Sequence, residues 1–94
     1  MMKPLTKETR KRVRFELSAE PGSQVFVAGT FNNWNPTANP LKDNPDSRHF
    51  KAALRVPIGT HEYKFVVNGV WHMDPKCREW VLNGYGSLNS VLHV

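Results

Sequence analysis

A chain of 94 residues with 39% hydrophobic and 11% aromatic residues fits one small globular domain, being too short for two and too apolar for a disordered segment. The formal net charge of +5 arises before Phe15, where Lys3, Lys7, Arg10, Lys11, Arg12 and Arg14 stand against Glu8; the remainder carries seven basic and seven acidic residues and is neutral. A single cysteine, Cys77, excludes an internal disulfide and fits a reducing, cytoplasmic setting, and no stretch approaches the roughly 20 apolar residues of a membrane span.

Residues 1–11 read as a basic, flexible, solubilising leader, and 12–94 as the domain. After residue 11, alternation with period two argues strands. Val13, Phe15 and Leu17 point one way and Arg12, Arg14 and Glu16 the other, which predicts a first strand ended by the turn Glu20-Pro21-Gly22-Ser23. Residues 24–30 (QVFVAGT) predict a second strand, apolar on both faces. The polar stretch 32–47 holds Pro36, Pro40 and Pro45, and because proline removes a ladder donor it reads as loop or edge.

Alternation resumes over 49–56 (HFKAALRV), with Phe50, Ala52, Leu54 and Val56 on one face. Pro57-Ile58-Gly59 reverses the chain, and 60–67 (THEYKFVV) sets Tyr63, Phe65 and Val67 toward the core with Glu62 and Lys64 opposite. Asn68-Gly69 is a strong hairpin signal, since both central residues of a type I′ turn need positive φ. The return strand covers 70–73, stopped by Asp74-Pro75, and 88–94 form a last strand. Short strands separated by Gly, Pro and Asn turns predict an all-β fold, an antiparallel β-sandwich.

The hairpin fixes where one tryptophan points. In a two-residue loop Val67 pairs with Val70, so Val66 lies opposite Trp71 and Lys64 opposite Met73. Residues 62, 64, 66, 71 and 73 then share the outer face, while Tyr63, Phe65, Val67, Val70 and His72 share the inner one. Trp34 poses the same question in Phe31-Asn32-Asn33-Trp34-Asn35-Pro36: Phe31 closes the core, and Trp34 is flanked by turn-forming asparagines. Each tryptophan alone has roughly even odds of merely capping a small core. Two displayed tryptophans beside a lysine shift the balance toward a binding surface.

A flat aromatic face attracts the weakly polarised C–H groups of a pyranose ring, whose hydroxyls radiate around its rim. Stacking combined with donors and acceptors from Lys, Asn and Ser is therefore sound chemistry for a sugar site. Ser87 and Asn89 share one strand face by alternation and can supply such contacts, with Tyr85 immediately before them.

The run VFVAGTFNNWNP, followed by FKAALRVPIGTHEYKFVVNGVWHMDP and GYGSLNSVLHV, resembles the family 48 carbohydrate-binding modules. That group includes the glycogen-binding domain of the AMP-activated protein kinase beta subunit and the N-terminal modules of isoamylases and branching enzymes. The resemblance covers nearly all of 12–94, with the motifs in the family's order. It implies an immunoglobulin-like sandwich that binds α-1,4-linked glucans such as glycogen, starch or maltooligosaccharides without catalysis, attached to or serving a glycogen-metabolising enzyme or a kinase subunit. By motif it implies sugar contacts at Trp34, Lys64 and Trp71 and, in the closing turn, at Tyr85, Ser87 and Asn89. Tyr85 stands where the family usually has leucine and either adds stacking or blocks the groove; Ser87 keeps the hydroxyl of the usual threonine. Trp80 has no sugar role in this pattern and reads as a packing residue.

Other chemistries fit less well. Glu62 and Asp74 read as a strand-surface and a turn residue rather than a glycosidase pair. His49, His61, His72 and His93 lack metal-site spacing, so no metal or cofactor is expected. The basic residues precede a neutral body, against a nucleic-acid partner. The rival function is a protein-interaction module that keeps the fold and recruits a protein.

Overall fold

The computed structural model describes residues 9–43 and 47–94, and residues 1–8 of the expected leader lie outside them. Alternating sequence becomes antiparallel strand almost wherever it occurs: β1 (Arg10–Ser18), β2 (Val25–Gly29), β3 (Pro40–Asp43), β4 (His49–Pro57), β5 (Thr60–Val67), β6 (Val70–His72), β7 (Trp80–Leu82) and β8 (Leu88–His93). The strand order is β1-β4-β3-β2-β5-β8-β7, with β6 also paired to β5. The all-β fold expected from alternation is what the structure shows.

The sheet curls on itself. β3 pairs with β2 through Val25 and Leu41 and with β4 through Lys42 and Lys51, so the β1–β4 layer folds over the β2–β5–β8 layer. Between the layers lie Phe15 and Leu17 from β1, Phe50 and Val56 from β4, and Val25, Val27, Tyr63 and Phe65 from β2 and β5. Phe15 meets Tyr63 edge-on with ring centroids 5.3 Å apart, although β1 and β5 share no ladder. Full burial of each such side chain contributes about 1.5–3 kcal/mol.

Two strands depart from the expected reading. Proline begins β3 without breaking it, because Pro40 is its first residue, so part of the presumed loop becomes an interior strand. β7 is a three-residue strand beside β8, and Trp80 on it is 53% exposed rather than packed into the core. β1 begins at Arg10, inside the span read as leader. Val70 and His72, expected on the inner face, are also exposed, β6 being paired to β5 on one side only among the described residues.

Local chemistry sets the turns. Asn68 and Gly69 have φ of 50° and 83°, as a type I′ hairpin requires. The Asn68 side chain accepts from the backbone N–H of Gln24 at 2.9 Å, tying the hairpin to the start of β2. Gly29 is required by proximity: a Cβ there would come within 2.5 Å of the Glu62 carbonyl and 2.7 Å of the Phe31 ring.

Candidate functional site

One edge of β5 changes neighbour midway. Thr60 to Tyr63 pair with β8, Phe65 to Val67 pair with β6, and Lys64 stands at the switch. The two neighbours diverge from that point and leave an open groove of about 580 Å³ on the outer face. All six residues singled out from sequence, Trp34, Lys64, Trp71, Tyr85, Ser87 and Asn89, line it, together with Glu62 and Asn83.

The deduction for Trp71 holds, although the ladder ends at Phe65 and His72, so the expected pairing of Lys64 with Met73 does not form and Met73 lines a separate groove with Leu17 and Val67. Val66 is the cross-strand partner of Trp71, whose ring lies on the outer face, 44% exposed. Trp34 reaches the Trp71 groove from the β2–β3 loop, and the two indole rings lie 6.4 Å apart, tilted by 48°.

Asn32 places Trp34. Its amide oxygen accepts from the Gly29 N–H at 2.9 Å, and its amide nitrogen donates to the Val27 carbonyl at 3.0 Å and to Asn39 Oδ1 at 2.7 Å. The Trp34 N–H donates to the Gly29 carbonyl at 2.9 Å. Trp34 is held at φ 57°, following Asn33 at the same value; a bulky residue enters this left-handed region only when its surroundings impose it. Here the anchored turn imposes it and turns the indole toward Trp71.

The polar floor is one connected network. Lys64 Nζ donates to Ser87 Oγ at 3.0 Å, and Asn83 Nδ2 donates to the same hydroxyl at 2.8 Å and to Asn89 Oδ1 at 3.1 Å. Asn89 Nδ2 donates in turn to Glu62 Oε1 at 2.9 Å. Asn83 Oδ1 accepts from the backbone N–H groups of Tyr85 and Ser87, which shapes the turn carrying Tyr85. Asn89 is 6% exposed, so it forms the base of the groove, whereas the Tyr85 ring is 96% exposed at its rim.

Glu62 and Asn83 were not singled out from sequence. Alternation had already placed Glu62 on the face of Lys64 and Trp71, and a polar residue on that face was the available signal. Asn83 begins an Asn-Gly-Tyr-Gly-Ser turn, where asparagine commonly bonds to the backbone two residues on.

The second carboxylate, Asp74, is engaged in structure: Tyr63 donates its hydroxyl to Asp74 Oδ2 at 2.6 Å. Burial, and then the bond to Asp74 and its negative charge, push the Tyr63 phenol well above its ordinary range. Cys77 is half-buried, its thiol directed at the carbonyls of Glu79 and Val91. Among the described residues, no group of three or more His, Cys, Asp or Glu side chains is arranged to hold a metal.

Two inclined aromatic plates over a network of hydroxyl, amide and ammonium groups form a surface for a flat-faced, hydroxyl-rich ligand. Comparison with known proteins points the same way. Residues 12–94 match the family described as the glycogen recognition site of AMP-activated protein kinase. The chain is 40% identical to 5'-AMP-activated protein kinase subunit beta-2 of Mus musculus over 76 residues, covering 81% of this chain and 27% of that protein. The Homo sapiens beta-2 subunit is likewise 40% identical over 76 residues, 26% of its length. The beta-1 subunit of Sus scrofa is 36% identical over 73 residues, covering 78% of this chain and 56% of that sequence. The chain thus spans about a quarter of the length of the beta-2 relatives. With the motifs in agreement and the family match running from Arg12 to the last residue, the chain belongs to the family of glycogen recognition sites of AMP-activated protein kinase.

Proposed function

We propose that this groove binds α-1,4-linked glucans of the glycogen and starch type, without chemical change to the sugar. The observation that carries the reading is the pair of indoles, 6.4 Å apart and inclined by 48° beside Lys64. An α-1,4-linked chain curves from one glucose to the next, so two plates set at an angle suit successive rings better than one flat plate. Trp34 and Trp71 stack on the apolar faces of those rings.

Polar contacts complete the recognition. Lys64 uses one donor on Ser87 and keeps two for sugar hydroxyls, and Ser87 Oγ remains at the exposed wall of the groove. Asn89 keeps one N–H and one lone pair beyond those it spends on Glu62 and Asn83. Tyr85 stands at the rim of the groove, almost fully exposed, where it adds a third aromatic surface rather than filling the site. We further propose that the module works in the cytoplasm as part of, or beside, a kinase or glucan-metabolising chain.

Co-sedimentation with glycogen, with maltoheptaose or β-cyclodextrin as competitor, tests the reading. Retention that the soluble sugars abolish is the expected result. No retention, together with stoichiometric recovery of a protein partner that Trp34→Ala and Trp71→Ala leave unaffected, would favour the protein-interaction reading instead.

A further inference from the structure

The basic residues near the N-terminus are built into a sheet face. β1 pairs with β4 in unbroken register from Arg10 opposite Pro57 to Ser18 opposite His49. Alternation puts Arg10, Arg12 and Arg14 on the outer face of β1, Lys51 and Arg55 on the same face of β4, and Lys42 beside Lys51 on β3. All six are exposed. Glu16 is the acid that this face carries among the described residues; it lies 3.0 Å from His49 and makes a long, exposed ion pair of 3.9 Å with Arg14, of the kind that contributes little and gives way to a better-placed carboxylate. Arg12 sits directly opposite Arg55 in the ladder, which brings cations of both strands together on this face.

β1 also ends the strand order, so among the described residues it has a partner on one side only. The direction of its free backbone groups follows from the ladder. Ile58 N–H donates to the Thr9 carbonyl and Ala19 N–H to the Arg48 carbonyl, both in the register of the β1–β4 pair. Bonded positions alternate along an antiparallel pair, so odd-numbered residues of β1 bond to β4 and even-numbered ones turn their N–H and C=O groups to the open edge. Arg10, Arg12 and Arg14 thus present both a cation and unpaired main-chain groups at a spacing of about 7 Å.

We propose that the open edge of β1 docks an acid-rich extended segment of a partner protein as an added strand, its alternate carboxylates seated against Arg10, Arg12 and Arg14. A strand added there brings every second side chain onto the basic face, so the matching sequence alternates Asp or Glu with apolar or β-branched residues. Guanidinium groups hold carboxylates through paired N–H bonds. Cations on an edge strand also repel a second copy of the same edge. That protection needs charge on β1 alone, whereas the basic set continues across β4 and β3. Among the described residues this face carries no Phe, Tyr or Trp for stacking on bases, its one imidazole, His49, being engaged with Glu16, and no large apolar side chain to enter a lipid surface, which favours a polypeptide over nucleic acid or membrane.

The probe is a synthetic peptide with glutamate at every second position and valine or threonine between, titrated into the full chain while backbone amides are followed by NMR. A peptide of the same composition in block order is the control. Expected are shifts concentrated on Arg10–Ser18, weaker binding of the block peptide, and a loss of about tenfold or more in Arg12→Glu/Arg14→Glu. Arg12→Gln/Arg14→Gln, a milder pair, should fall between, with amide positions outside β1 unchanged as evidence of folding. Equal binding of both peptides, or no binding at low salt, overturns the proposal. So does tighter capture of anionic vesicles or duplex DNA that the same substitutions abolish, since the face then serves lipid or nucleic acid.

Discussion

Asn89 donates its amide N–H to Glu62 Oε1 at 2.9 Å, joining β8 to β5 beside the point where β5 exchanges β8 for β6. This bond fixes which way the Asn89 amide faces and, through Asn83 and Ser87, where Lys64 points. Glu62→Ala should leave the fold intact and weaken maltoheptaose binding by about 1 kcal/mol, roughly fivefold in Kd. Glu62→Gln, which retains an acceptor for Asn89, should recover most of the loss. Isothermal titration of the three proteins checks this order.

Asn32 is the corresponding anchor for the tryptophan on the opposite wall. Asn32→Ala removes three hydrogen bonds within a partly buried turn and should cost about 1–3 kcal/mol of stability. It also frees Trp34 from its left-handed conformation, so the affinity for glucan should drop even where the variant is fully folded. Urea denaturation and sugar titration on the same sample separate the two effects.

Gly29 lies behind that turn, with no space for a side chain. Gly29→Ala sets a methyl against the backbone carbonyl of Glu62 and the Phe31 ring, and overpacking of this kind costs about 1–3 kcal/mol. A lowered denaturation midpoint with an unchanged m-value is the expected signature.

Tyr63 gives the fold an alkaline limit. Its phenol is held neutral in the folded state, while in the unfolded chain it ionises near its ordinary pKa of about 10. The contribution is complete below that pH and is lost as pH rises above it, because the unfolded state then releases a proton that the folded state retains. Tyr63→Phe should cost about 1 kcal/mol at neutral pH by depriving Asp74 of its donor, and should flatten the decline in stability above pH ~10. Urea midpoints across that range measure both.

Sequence alone carried the architecture where side chains alternate. β1, β4 and β5 repeat at period two against one core, and Asn68-Gly69 fixed the register that puts Trp71 opposite Val66. Residue 34 was legible as displayed, but its 6.4 Å approach to residue 71 depends on Asn32 bonding back to β2, a contact that no local pattern encodes. β3 was hidden by its initial proline, and β7 by having only three residues, all exposed. Asn89 matched the motif as a sugar contact, yet its near-complete burial reflects two side chains, Glu62 and Asn83, that meet it only when β5, β7 and β8 assemble. The placement of the positive charge also needed the structure, because Lys51, Arg55 and Lys42 join the β1 arginines through pairing across tens of residues.

The central claim is that Trp34 and Trp71 together form the glucan platform. Its most direct test is calorimetric titration of maltoheptaose into the wild-type chain, Trp34→Ala, Trp71→Ala and the double variant, with folding verified by circular dichroism. Saturable binding by wild type, a loss of about tenfold or more for each single variant, and no measurable binding by the double variant are expected. Wild-type binding that survives both substitutions, or a folded wild type that binds no maltoheptaose at all, would contradict it.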